Sequence, residues 1–402
     1  MMKKTTRPAH LINSKEPHIV SLMLLSAFAA MGAILMTPAL PEISAYFHIS
    51  IGTTQLTVTS FLLGYAIGQL VYGPIANRLG RKPALFIGIG IATMGSIFSI
   101  LSSPVESFHL LIIGRLLEAI GASAGLAICF TIINDFYFPE DARRITSFLM
   151  FAFAIVPGVA IAIGGVLTQY IHWQACFYFL LCYGLFLLYP TIRLPETIGN
   201  KDLFAFRYRY IIKNYGKSFL NRKLVGCAIC AGFSSACIYT FGAEGPFIGI
   251  HFLHIAPATY GILGLIPFIG TFFGSFVTIW LIRFNSFFVL KIAFLLELIA
   301  SVVMLIFFVC HYVTLFTLLG PMFLLCLAHP MLSSTGLSLA ITQTEDKANG
   351  SAVMSFIAMA MPVLMTLLLG LLHIKAVWIM PAIFLISLFF MLNAYIFLVR
   401  PK

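Results

Sequence analysis

Apolar stretches with few or no charges recur along the whole chain, and their length, about twenty residues each, constrains the fold more than any other feature. Wound as a helix rising about 1.5 Å per residue, each crosses a hydrocarbon core of about 30 Å. Lipid offers the backbone no hydrogen-bond partners, so spanning segments are helices or closed barrels, and runs of this length select helices. Composition agrees: 60% of residues are hydrophobic and 9% charged, against about 45–50% and about 25% in soluble domains. The expected fold class is an all-α membrane protein.

Charges and turn residues divide the chain into twelve expected spans: 19–40, 53–76, 84–104, 107–132, 145–170, 174–192, 224–246, 259–282, 291–310, 313–340, 350–372 and 376–399. Threaded from an inner N-terminus, 22 of the 24 Lys and Arg fall in inner segments, Lys375 falls outside and Arg115 lies within a span. Cations in short loops stay on the cytoplasmic side, so both termini are expected there. The longest polar segment separates two sets of six spans. The expected units are a tail (1–18), a first six-helix bundle (19–193), a basic linker (194–223), a second six-helix bundle (224–399) and a short C-terminus (400–402). The linker stretch FRYRYIIKNYGKSF mixes cations with aromatics, which suits a helix on an anionic leaflet and equally a plain charged connector. The halves echo each other faintly. Pairing Gly125 with Gly336 sets Glu118 opposite His329, and spans five and eleven each carry a mid-helix proline, Pro157 and Pro362.

The net charge of +11 is dispersed among loops rather than gathered on one face, which argues against nucleic acid as a partner and for the lipid bilayer. All eight cysteines lie in apolar stretches, and the Cys227–Cys230 spacing lacks the second pair of a zinc site. His251 and His254 have no further ligands beside them. No metal and no cofactor are expected. The cationic start followed by AFAA looks like a secretory leader, but the apolar run continues to Leu40 and is expected to remain as the first span.

The stretch GPIANRLGRKP, residues 73–83, interrupts this oil between spans two and three. Gly73 permits close helix approach and Gly80 a tight turn, while Arg78, Arg81 and Lys82 resist entry into the bilayer. Its G-x-x-x-[D]-R-x-G-R-[RK] pattern resembles the signature loop of the major facilitator superfamily. Further stretches resemble the Bcr/CflA branch of drug:proton antiporters: PALPEI (38–43), QLTVTSFLLGYAIGQLVYGP (55–74), GRLLEAIGASAG (114–125), FAIVPGVAIAIGGVL in span five, LPET (194–197) and ANGSA (348–352). The resemblance covers the first half well and the second half thinly. It implies the major facilitator fold, with two pseudo-symmetric six-helix bundles, acting as a monomer in the bacterial inner membrane on protons and a small-molecule substrate, without enzymatic chemistry. In span five it implies a conformational role for Pro157, Gly158, Gly164 and Gly165. Three departures stand out. The loop aspartate is Asn77, which weakens a charged latch to neutral hydrogen bonding. The span-one acid would fall at Ile34, and the second proline of the span-five motif is Ile161.

Ionisable groups inside spans are costly and usually face a cavity or a partner. Arg115 and Glu118 stand three residues apart on one helical face near the bilayer midplane, as a site for proton and substrate or as a permanent structural ion pair. Glu244 either replaces the missing span-one acid or snorkels to water. His329 either titrates across the cavity or is a hydrogen-bonded packing residue. Glu297 is expected to meet a loop cation. The Gly-rich GIGIGIATMG of span three is a packing surface, since no strand precedes it. The expected function is export of small organic compounds by proton antiport and alternating access. The alternative is a dedicated carrier for one metabolite, such as a siderophore or an amino acid, whose carboxylate would meet Arg115. A membrane enzyme would need a polar constellation at the bilayer edge, and a channel would need rings of like charge; neither pattern is present in the sequence.

Overall fold

The computed structural model describes residues 16–281, 283–341, 347–372 and 376–399. Lys3, Lys4, Arg7, Lys15, Lys375, Arg400 and Lys402, which entered the loop-charge argument, lie outside the described residues. Among the described residues fifteen α-helices follow one another: α1 (Ile19–Ile34), α2 (Leu40–Tyr46), α3 (Ile51–Leu79), α4 (Arg81–Leu101), α5 (Phe108–Phe136), α6 (Pro139–Tyr170), α7 (Gln174–Arg193), α8 (Tyr208–Phe219), α9 (Arg222–Pro246), α10 (Pro257–Leu263), α11 (Leu265–Leu281), α12 (Ser286–Val309), α13 (Leu315–Ile341), α14 (Lys347–Leu371) and α15 (Ile379–Ala394). Among the described residues eleven helical stretches are long and apolar enough to cross a membrane. The expected span at 145–170 lies in α6, whose apolar part runs over Ala154–Tyr170.

Local chemistry sets the breaks. Pro38, which has no amide hydrogen to donate, sits in the 3-10 turn Thr37–Ala39 that joins α1 to α2. Pro246 precedes the π-helical turn Phe247–Phe252 that ends α9. Ser50, Ser107, Asn221 and Asn285 each cap a helix by accepting a backbone N–H of its first turn.

By mutual packing the long helices form two groups. α1 and α3–α7 pack among themselves, as do α9 and α11–α15. The tightest pair is α4 with α5, where Gly88 and Gly95 lie against the backbone of Gly121 and Gly114, so the glycines of span three are largely a packing face. The groups meet where α3 runs along α14 and where α6 lies against α10 and α11. Three hydrogen bonds join them at the end opposite the Arg78–Lys82 loop. Thr59 donates to Thr366 at 3.0 Å, the Ala258 amide donates to Gln169 at 2.9 Å, and Gln55 donates to Glu244.

Candidate functional site

Between α3 and α4 the chain turns at Gly80, whose φ of 120° is a conformation side chains avoid. A Cβ there would also lie 2.6 Å from Glu196 Oε2. Glu196 fills that space for a reason: its carboxylate accepts the backbone amides of Arg81 and Lys82 at 2.9 and 3.1 Å, capping α4 at its positive end. Arg81 donates to Ala76 O (2.9 Å), to Asn77 Oδ1 (3.0 Å) and to Asp135 Oδ2 on α5 (2.9 Å). Asn77 thus takes part through a neutral hydrogen bond, and the loop's ion pair is the one between Arg81 and Asp135. Lys82 donates to Ile192 O at 2.5 Å, Arg78 occupies the last turn of α3, and Gly73 lies 3.5 Å, measured from its ideal Cβ, from the Tyr215 hydroxyl of α8.

Roughly 10–15 Å along α5 from its Phe108 end, Arg115 and Glu118 are both fully buried. Arg115 donates to Glu118 Oε2 at 3.0 Å and to the Gly32 carbonyl of α1 at 2.8 Å. The Phe61 ring of α3 covers the guanidinium, with its centroid 4.2 Å away, and Phe177 of α7 lies at 5.9 Å. Glu118 Oε1 is buried without a hydrogen-bond partner among the described residues. One ion pair thus ties α5 to α1, α3 and α7, and one carboxylate oxygen is left over.

Glu244 and His329 are not brought to this pair. Glu244 accepts from Gln55 at the contact of α9 with α3. His329 Nδ1 lies 3.1 Å from Ser234 Oγ, and that hydroxyl also donates to Glu297 at 2.5 Å. Glu297, expected beside a loop cation, instead sits between α9, α12 and α13. In α6, Gly158 faces α11, with Phe268 Cβ 3.1 Å from its ideal Cβ position. Gly164 and Gly165 face opposite ways, onto the Leu35 carbonyl beyond α1 and onto Pro257 and Gly261 of α10. Pro157 lies within the same helix.

A family model described as the Major Facilitator Superfamily matches residues 22–357. The chain belongs to the major facilitator superfamily. Among its relatives are the MFS-type transporter YdgK of Bacillus subtilis (27% identity, 88% of this chain and 89% of that protein) and the bicyclomycin resistance protein homolog of Haemophilus influenzae (26% identity, 68% and 67%). Such names fit the Bcr/CflA branch. The inward open conformation of the xylose transporter XylE from E. coli shares the fold with a TM-score of 0.73 at 14% identity, covering 96% of each chain. In this facilitator chain the sequence alone did not single out Asp135, Glu196, Gln55 or Ser234. Asp135 and Glu196 are acids next to the ends of α5 and α7 that lie by the Gly80 turn, where Arg81 had to find a partner; for Gln55 and Ser234 no pattern in the sequence pointed to their contacts.

Proposed function

We propose that this chain is a secondary transporter that exports small organic compounds against proton entry by alternating access. The observation that carries the reading is the Arg115–Glu118 pair, fully buried yet with Glu118 Oε1 unpartnered. A proton on Glu118 removes the charge that holds Arg115, leaving the guanidinium its bond to the Gly32 carbonyl and its contact with Phe61. Protonation would thereby change how α5 grips α1 and α3, the second of which runs along α14 of the other group. One charge moving inward yields about 2.3 kcal/mol per 100 mV, enough to drive a modest gradient.

In this reading α6 is the twelfth span, each group of helices is a six-helix bundle, both termini face the cytoplasm, and the Arg78–Lys82 end is the inner one. The polar contacts at the other end then describe an outer side that is closed. The name of the H. influenzae relative supports a drug-like substrate. The test is substrate flux in proteoliposomes with and without an imposed pH gradient. Glu118→Gln keeps downhill exchange and loses pH-driven accumulation; if it still concentrates substrate, coupling lies elsewhere.

One observation favours the metabolite carrier instead. Ile34, at the position of the missing acid, is buried 3.8 Å from the ideal Cβ position of Gly242 on α9, so span one presents no charge there for a cationic drug. A thermal-shift screen against cationic drugs, siderophores and amino acids separates the two, since only a bound class stabilises the protein.

A further inference from the structure

Glu118 is not the sole buried carboxyl with an idle oxygen. Glu297 on α12 is 1% exposed, and its Oε2 has no hydrogen-bond partner among the described residues. Its Oε1 accepts from Ser234 Oγ of α9 at 2.5 Å, and the same hydroxyl lies 3.1 Å from His329 Nδ1 of α13. A hydroxyl has one hydrogen to give and lone pairs to receive with, so Ser234 can donate to Glu297 while accepting from an Nδ1–H. Imidazole, hydroxyl and carboxyl then form an unbroken line across three helices, with His329 its partly exposed end.

Among the described residues the surroundings offer Glu297 no Lys or Arg partner. The titratable groups facing it from neighbouring helices are Cys230 and Cys237 of α9 and Cys326 and His329 of α13. α15 contributes none, and Lys291, on α12 itself, is exposed. No ion pair to Glu297 is present among the described residues. An ionised carboxylate without a counter-charge is expensive at this depth. Hard metal cations gather about six oxygens or more, whereas a proton needs one lone pair.

We propose that Glu297, Ser234 and His329 form a second proton-binding site, in the C-terminal group of helices, with Glu297 as the carrier of the proton and His329 as its port. A proton arriving on His329 Nε2 makes Nδ1–H the donor. That hydrogen passes to Ser234 Oγ as the serine's own hydrogen passes to Glu297 Oε1, leaving a neutral imidazole, an intact serine and a carboxylic acid. The site extends the proton-coupled reading above, but its test reads the carboxyl itself and needs no substrate.

Infrared difference spectra between acid and alkaline pH, taken on full-length protein in lipid, report protonated carboxyls directly. A carboxylic-acid C=O band is expected in the wild type that is lost in Glu297→Gln and retained in Glu118→Gln. In Ser234→Ala the band shifts, because the hydrogen bond that the acid's Oε1–H gives to Ser234 Oγ is gone, and in His329→Phe it exchanges with D2O more slowly. Ser234→Ala interrogates the same group should Glu297→Gln fail to fold. The proposal is overturned if Glu297→Gln removes no band that Glu118→Gln retains, or if the band it removes does not move in Ser234→Ala. A titration displaced by sodium at constant ionic strength overturns it too, since that would make the ligand a metal cation. Loss of transport coupling in Glu118→Gln with the Glu297 band absent would uphold the first reading and sink this one.

Discussion

Removing the Arg115 guanidinium strands a carboxylate that pairs with no other cation among the described residues, and breaking a buried pair in this way costs about 3–5 kcal/mol. Arg115→Met is therefore expected to unfold at a distinctly lower temperature in detergent, while Arg115→Met with Glu118→Gln regains most of the loss because no charge is left uncompensated. If the double variant is as unstable as the two single effects added together, the pair is not coupled. At the loop, Asn77→Asp puts a second anion within reach of Arg81, which already pairs with Asp135. The variant is expected to fold and to slow turnover by holding α3, α4 and α5 more firmly, measured as flux at saturating substrate; unchanged turnover would mean the loop only anchors topology. The pairing of Arg115 with Glu118 was readable from their spacing, since residues three apart share a helical face. The partner of Glu297 was not, because periodicity gives the direction a side chain leaves its own helix and says nothing of which helix stands opposite.

Among the elements, α4 begins where the chain can turn only through a glycine. Gly80→Ala meets both the disfavoured backbone region and the Glu196 carboxylate, and is expected to cost about 1–3 kcal/mol in thermal unfolding; a loss near zero would show that the turn relaxes freely. α6 makes a different demand. Its adjacent glycines let the Leu35 carbonyl approach from one side and the Pro257 carbonyl from the other, so a larger side chain at either must part a contact of that helix. Gly165→Val is expected to open the seam between α6 and α10, raising thiol labelling of a cysteine placed at Gln169 above its level in the otherwise unchanged protein; equal labelling would show that the seam does not depend on this packing. Helix positions came through well from hydropathy, for instance span six at 174–192 against the observed Gln174–Arg193. The continuation of the first span through Pro38 to Tyr46 did not, since a proline and an acid read as an ending while the chain resumes its helix beyond the turn.

For the molecule as a whole, the contact of α3 with α14 offers a direct handle on motion. Thr59 and Thr366 hydrogen-bond across it, so cysteines at both positions, in a background lacking the native thiols, are expected to oxidise to a disulfide, halt transport and release it on reduction. Full transport by the oxidised protein would show that this end never parts. The sequence's division into two sets of six helices followed from one long polar segment, yet nothing in that segment announced how it docks. α8 lies across the boundary: Tyr215 donates to the Leu70 carbonyl of α3 at 2.8 Å, and Phe219 stacks edge-on against Phe356 of α14 at 6.0 Å. A twelve-residue helix is a rod of about 18 Å. Tethered at both sides, it behaves as a strap whose slack sets the stroke. The gap between α3 and α14 at this end can widen only until one of those two aromatic grips lets go.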